Sequence, residues 1–206
     1  MALAGCGRHK AATPAEAKLE NEDFVAVTAA LAAAAPQVEA EVAATKDAWP
    51  AILAGVKGRP TAGTRTKVLL AAQRAAALRL PTLMTEEGSA QLTGPASPLA
   101  SRFRSFQTLG SRSWQLLESS LDEIEHGSRS QAEFARQNLP LYIEGIYDAQ
   151  FTLAETGKQL LAAYKKLGDQ KTFGGSLTTS QIQQLAARYS KERNELSPKE
   201  QVKLGS

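Results

Sequence analysis

The chain has 206 residues, a formal net charge of +3 and a single cysteine, and 43% of its residues are hydrophobic. Alanine supplies 36 of them and leucine 25, against 12 valines and isoleucines together, a balance that favours helix over strand. One cysteine excludes an internal disulfide and a multi-cysteine metal cage, and 22% charged residues exclude a membrane-embedded bundle and a disordered tail.

The first elements in chain order are Leu3-Ala4-Gly5-Cys6 and the polar, basic stretch Gly7-Arg8-His9-Lys10. A leucine, two small residues and a cysteine resemble the lipobox of bacterial lipoproteins. In that family a peptidase cuts before a cysteine whose sulfur already carries a diacylglyceryl group. The resemblance implies that Cys6 is the mature N-terminus and the lipid anchor, with a membrane as the first partner. Gly7 is not the Asp that resembles an inner-membrane retention signal, which favours the outer membrane if the cell is Gram-negative. Only five residues precede Cys6, fewer than the apolar region of a signal peptide, so that region is expected upstream of Met1. The domain division that follows is a residual signal and tether over residues 1–12 and one helical-bundle domain over residues 13–206.

Thr13-Pro14-Ala15-Glu16 carries the pattern of a helix start, with a capping threonine, a first-turn proline and a capping-box glutamate. Phe24, Val27, Leu31, Val38, Val42, Trp49, Ile52 and Val56 then hold one register, with Ala34 and Thr45 filling its gaps. The register runs through Pro36 and Pro50, so the spacing predicts one long first helix kinked at the prolines, or two collinear pieces, rather than a chain reversal. Gly55, Gly58, Pro60 and Gly63 end it. No stretch reaches the roughly 18–20 consecutive apolar residues that span a bilayer.

A second helix is expected over residues 64–87, with Leu69, Ala72, Ala76, Leu80 and Leu83 inward and a bend at Pro81. A third opens at Ser97-Pro98 and buries Leu99, Phe103, Phe106, Gly110, Leu117, Leu121 and Ile124. It stops at His126-Gly127, with the glycine in a left-handed conformation. A fourth, kinked at Pro140, runs from Ser128 or Ser130 to Leu167, with Phe134, Leu139, Ile143, Ile146, Gln150, Leu153, Gly157, Leu160 or Leu161, and Tyr164 inward. After a connector containing Phe173-Gly174-Gly175-Ser176, a shorter fifth helix turns Ile182, Leu185 and Tyr189 inward, and Ser197-Pro198 begins a last turn. The fold expected is all-α: an antiparallel bundle of four main helices, the first and fourth long, with the short C-terminal helix across an end or a side.

Chemistry is sparse along this pattern. Residues 1–100 carry 10 basic and 9 acidic side chains, so no basic block exists for nucleic acid, and Arg102, Arg104 and Arg112 flank a core pair, Phe103 and Phe106. Glu123-Ile124-Glu125-His126 contains Glu-x-x-His, half of a di-metal signature, but the only other histidine is His9. His126 instead suits the negative end of a helix dipole. No catalytic set, metal site or cofactor site is expected.

Glu144 and Asp148, four apart and flanked by Tyr142, Tyr147 and Phe151, form the best candidate partner or ligand surface. Paired carboxylates do acid–base or cation chemistry only when a cleft holds them. The leading expectation is therefore a lipid-anchored, non-catalytic binding or scaffolding module of the bacterial envelope, with a membrane-proximal protein as partner. The alternative is a soluble cytoplasmic adaptor that docks helices or a second copy through residues 142–151. A third reading, an enzyme or metal carrier, would use Glu118, Asp122, Glu144 and Asp148.

Overall fold

The structure is a computed structural model that describes residues 13–56, 61–169 and 178–191. Cys6 and its tether, most of the connector with Phe173-Gly174-Gly175-Ser176, and the last turn at Ser197 lie outside the described residues. Among the described residues six helices appear in chain order: α1 Pro14–Val56, α2 Ala62–Ala77, α3 Glu86–Ala90, α4 Ala96–His126, α5 Arg129–Asp169 and α6 Thr179–Lys191, with a 3-10 turn at Thr82–Met84. The chain is all-α, with no strand among the described residues.

Three of these helices begin on the same device. Glu16 accepts from the Thr13 backbone N–H at 2.7 Å while the Glu16 N–H reaches Thr13 Oγ1 at 3.3 Å. Ser128 and Gln131 repeat the exchange at the start of α5, and Thr178 and Gln181 at the start of α6. Each pair satisfies two N–H groups that the helix itself leaves without acceptors. The Thr13 backbone bond to Glu16, and then the hydroxyl bond, hold the Glu16 carboxyl below its ordinary pKa.

α1 runs unbroken for 43 residues through both prolines, about 65 Å at 1.5 Å per residue. Every stripe residue from Phe24 to Ile52 is buried, including Ala34 and Thr45; the side chain of Val56 lies outside the described set. Over 18 of its residues the helix reaches a mean hydropathy of 1.2, long and apolar enough to cross a membrane. The average passes because alanines lift it; the uncharged run of residues 24–38 still falls short of roughly 18 consecutive apolar residues. The large side chains of this part of α1, Phe24, Val27, Leu31, Val38 and Val42, are packed into the protein.

The helices enclose two cores stacked along the long axis. One joins α1 residues Phe24 to Val42 with the amino-terminal half of α4 (Leu99, Phe103, Phe106), the carboxy-terminal half of α5 (Leu153, Leu160, Leu167) and α6 (Ile182, Leu185, Tyr189). The other joins α1 residues Ala44 to Ile52 with α2 (Val68, Ala71, Ala72, Ala75), Trp114, Leu117 and Leu121 of α4, and Leu139, Ile143 and Ile146 of α5. Thus α2 flanks one half of α1 and α6 completes the other half. The C-terminal helix supplies one wall of a core, with Tyr189 Oη donating to the Leu31 carbonyl at 2.6 Å. Burial raises the Tyr189 hydroxyl pKa far above its ordinary value.

Four expectations need correction. The second helix stops at Ala77, not residue 87; Leu78 leaves it in extended backbone (ψ 106°) and Pro81 continues extended. Proline has no N–H for the helix and disfavours helical geometry before it, so the chain breaks into a 3-10 turn and α3 instead of bending. Within α2 the buried stripe is Val68, Ala71, Ala72 and Ala75, while Leu69 is 42% exposed and Ala76 is exposed. Small side chains of α2 share a core with Ala44 and Ala48 of α1, and small residues at a contact let two helix axes approach. Phe134 is 63% exposed, and Ala132 and Ala135 take the inner face. It lies five residues before Leu139, about 140° around the helix. Gly127 is extended (φ −75°), so its backbone does not demand glycine; a Cβ there would come within 2.5 Å of the Glu123 carbonyl oxygen.

Candidate functional site

The five outer residues of α5 divide between two environments. Tyr142 and Tyr147 are half-buried and pack against the core formed with α2. Five positions apart, they leave α5 about 140° from each other, so they border that core from opposite flanks. Glu144, Asp148 and Phe151 are exposed, Phe151 at 37%. The structure brings Glu144 and Asp148 together on one strip, one turn apart, with Phe151 beside them, all three exposed.

Partial burial, followed by the charge of Glu144, raises the Asp148 pKa above its ordinary value. Desolvation is the larger cause, and the like charge one turn away adds to it. Among the described residues no group of three or more His, Cys, Asp and Glu side chains is placed to hold a metal ion. His126 stands on the last turn of α4 with Nδ1 at 3.0 Å from Asp122 Oδ1. Chemically, the α5 strip offers electrostatic attraction and apolar area to a partner.

A second polar feature lies inside. Glu41 of α1 is 1% exposed and Gln150 of α5 is 2% exposed. Gln150 Nε2 is 3.1 Å from both carboxylate oxygens of Glu41, and Thr45 Oγ1 donates to Glu41 Oε1 at 3.2 Å. Glu41 sits three residues after Val38 and four before Thr45, so the stripe of α1 carries a charged side chain inward. At the same level α4 and α5 touch through small residues. Gly110 lies over Ala149, and a Cβ on Gly145 would overlap Ser113 Oγ.

This layer separates the two cores. The inward register of Gln150 is legible in the α5 pattern. Glu41 is the residue the sequence reading missed, and its signal was a carboxylate at stripe spacing. Sealed from solvent, it serves to fix the register of α1 against α5: any slide along the axis would strand a carboxylate among apolar side chains.

No protein-family model, no curated protein and no solved structure matches the chain.

Proposed function

We propose that this protein is a lipid-anchored helical-bundle module of the bacterial cell envelope, facing outside the cytoplasm, with a binding or scaffolding role. The observation that carries the reading is the lone Cys6 placed directly after Leu3-Ala4-Gly5. Its sulfur is the group that lipoprotein maturation alkylates, and the flanking small residues suit the cleavage that follows. Six residues lie between Cys6 and the Thr13 cap, a tether of at most about 25 Å when fully extended. A rod-like bundle held that close to a bilayer meets membrane-proximal partners first.

Exposed Phe134, Leu141 and Phe151 along α5 favour one second reading, a soluble adaptor that docks helices through that face. Expression of the native gene in its bacterial host with radiolabelled palmitate separates the two. Anchoring predicts label in the wild type, none in Cys6→Ala, and release of the variant from the membrane fraction without detergent. An unlabelled wild type recovered in the soluble fraction refutes anchoring and leaves the adaptor.

A further inference from the structure

The surface between α2 and the last turns of α4 holds a recess that neither the anchor nor the α5 strip involves. Its volume is about 330 Å³, and its walls include Val68, Leu69, Leu121, Arg65, Glu118 and Asp122. That volume lies within the range of small-molecule sites, which combine apolar walls with a few converging polar groups. Val68 and Leu121 form a buried apolar floor, and Leu69, 42% exposed, stands at the rim.

The charges at the rim are unbalanced. Arg65 is paired with Glu125, both terminal guanidinium nitrogens meeting its carboxylate oxygens, so its positive charge is matched, while its buried Nε–H is left without an acceptor. Glu118 has no ion pair among the described residues, and Asp122, one turn further along α4, has only His126 beside it. At the first turn of α2, Thr61 Oγ1 accepts from the Thr64 N–H at 3.1 Å. The last turns of α4 carry the negative end of that helix.

We propose that this recess is a binding site for a small amphiphilic cation: an organic ammonium whose short apolar body lies on Val68, Leu69 and Leu121 and whose charge is held by Glu118 and Asp122. An anion of the same shape meets two carboxylates and a guanidinium whose charge Glu125 already balances. A neutral molecule gains the floor alone. The site rests on the α2–α4 geometry and is independent of Cys6.

The test is a titration of the isotope-labelled protein by amide NMR with phenethylammonium, 2-phenylethanol and 3-phenylpropionate, which share a body and differ in charge. The expected result is saturable shifts at Val68, Leu69 and residues 118–122 with the ammonium. The alcohol should bind about five- to tenfold more weakly, the gap of one or two exposed ion pairs, and the gap should shrink as salt is added. Glu118→Gln/Asp122→Asn should remove the preference for the ammonium over the alcohol. Leu69→Ser, at an exposed position that leaves folding intact, should weaken both. Shifts that do not saturate, equal affinity for alcohol and ammonium, or an unchanged preference in the double variant would each overturn the proposal.

Discussion

Glu41 occupies a position where the register of α1 calls for an apolar side chain, and its carboxylate is kept there by an amide and a hydroxyl. Gln150→Leu removes the amide donor while the Glu41 carboxyl stays buried. Equilibrium denaturation near neutral pH should show a loss of about 1.5–3 kcal/mol, the range for hydrogen bonds to charged groups. Glu41→Leu/Gln150→Leu should recover part of that loss, because apolar groups of similar size often replace a buried charged network at little cost.

On the surface of α5 the effect has the opposite sign. The Asp148 pKa is raised in the folded protein, so the folded state binds this proton more readily than the unfolded chain. The contribution of Asp148 to stability is therefore greatest below its unfolded pKa and falls as pH rises through the window up to the folded pKa. Glu144→Gln removes the neighbouring charge and should raise stability near neutral pH by about 0.2–0.5 kcal/mol, the scale of a helical charge pair. The gain should vanish near pH 3, where both carboxyls take up protons. Urea melts at the two pH values check both the sign and the window.

At the scale of elements, close approach is set by missing side chains. A Cβ on Gly157 of α5 would stand 2.5 Å from the Ala186 carbonyl oxygen and 2.8 Å from the Ser190 nitrogen, both backbone atoms of α6. Backbone cannot swing aside as a long side chain can, so Gly157→Ala should push α6 away from α5. The expected loss is about 1–3 kcal/mol, as for overpacked cores. Hydrogen exchange should show it, with protection falling at residues 182–189 and holding in α4.

Helix starts were legible in the sequence because Thr13 and Glu16 stand in capping-box spacing; the Ser128–Gln131 and Thr178–Gln181 pairs share that spacing and went unread. The end of α2 was not legible as an end. Leucines at 78, 80 and 83 extend the helical spacing past residue 77, and only Pro81 signals the break. The stripe of α2 was misplaced because leucine outweighs alanine in any reading by hydrophobicity. What decides the face is how close α1 lies, and that distance belongs to the pair of helices.

For the whole molecule, two stacked cores divide the apolar residues into those that hold the fold and those left on its surface. Leu153→Ala, in the core shared by α1, α4, α5 and α6, should cost about 2–5 kcal/mol. Phe134→Ser should change stability by no more than about 0.5 kcal/mol, as surface substitutions do. Thermal melts of the two variants check the division directly.

The helical class, the long unbroken α1 and the inward faces of α1, α4 and α6 follow from the sequence alone, because a spacing of three and four residues is a property of a single helix. The lipobox-like tetrapeptide is equally local, and it gives the anchoring proposal its only support. Relations between helices were beyond that reach. The split into two cores, the Glu41–Gln150 layer across 109 positions of chain and the recess between α2 and α4 each depend on which faces meet, at what height and how closely. Those are properties of pairs of helices, and only the tertiary structure decides them.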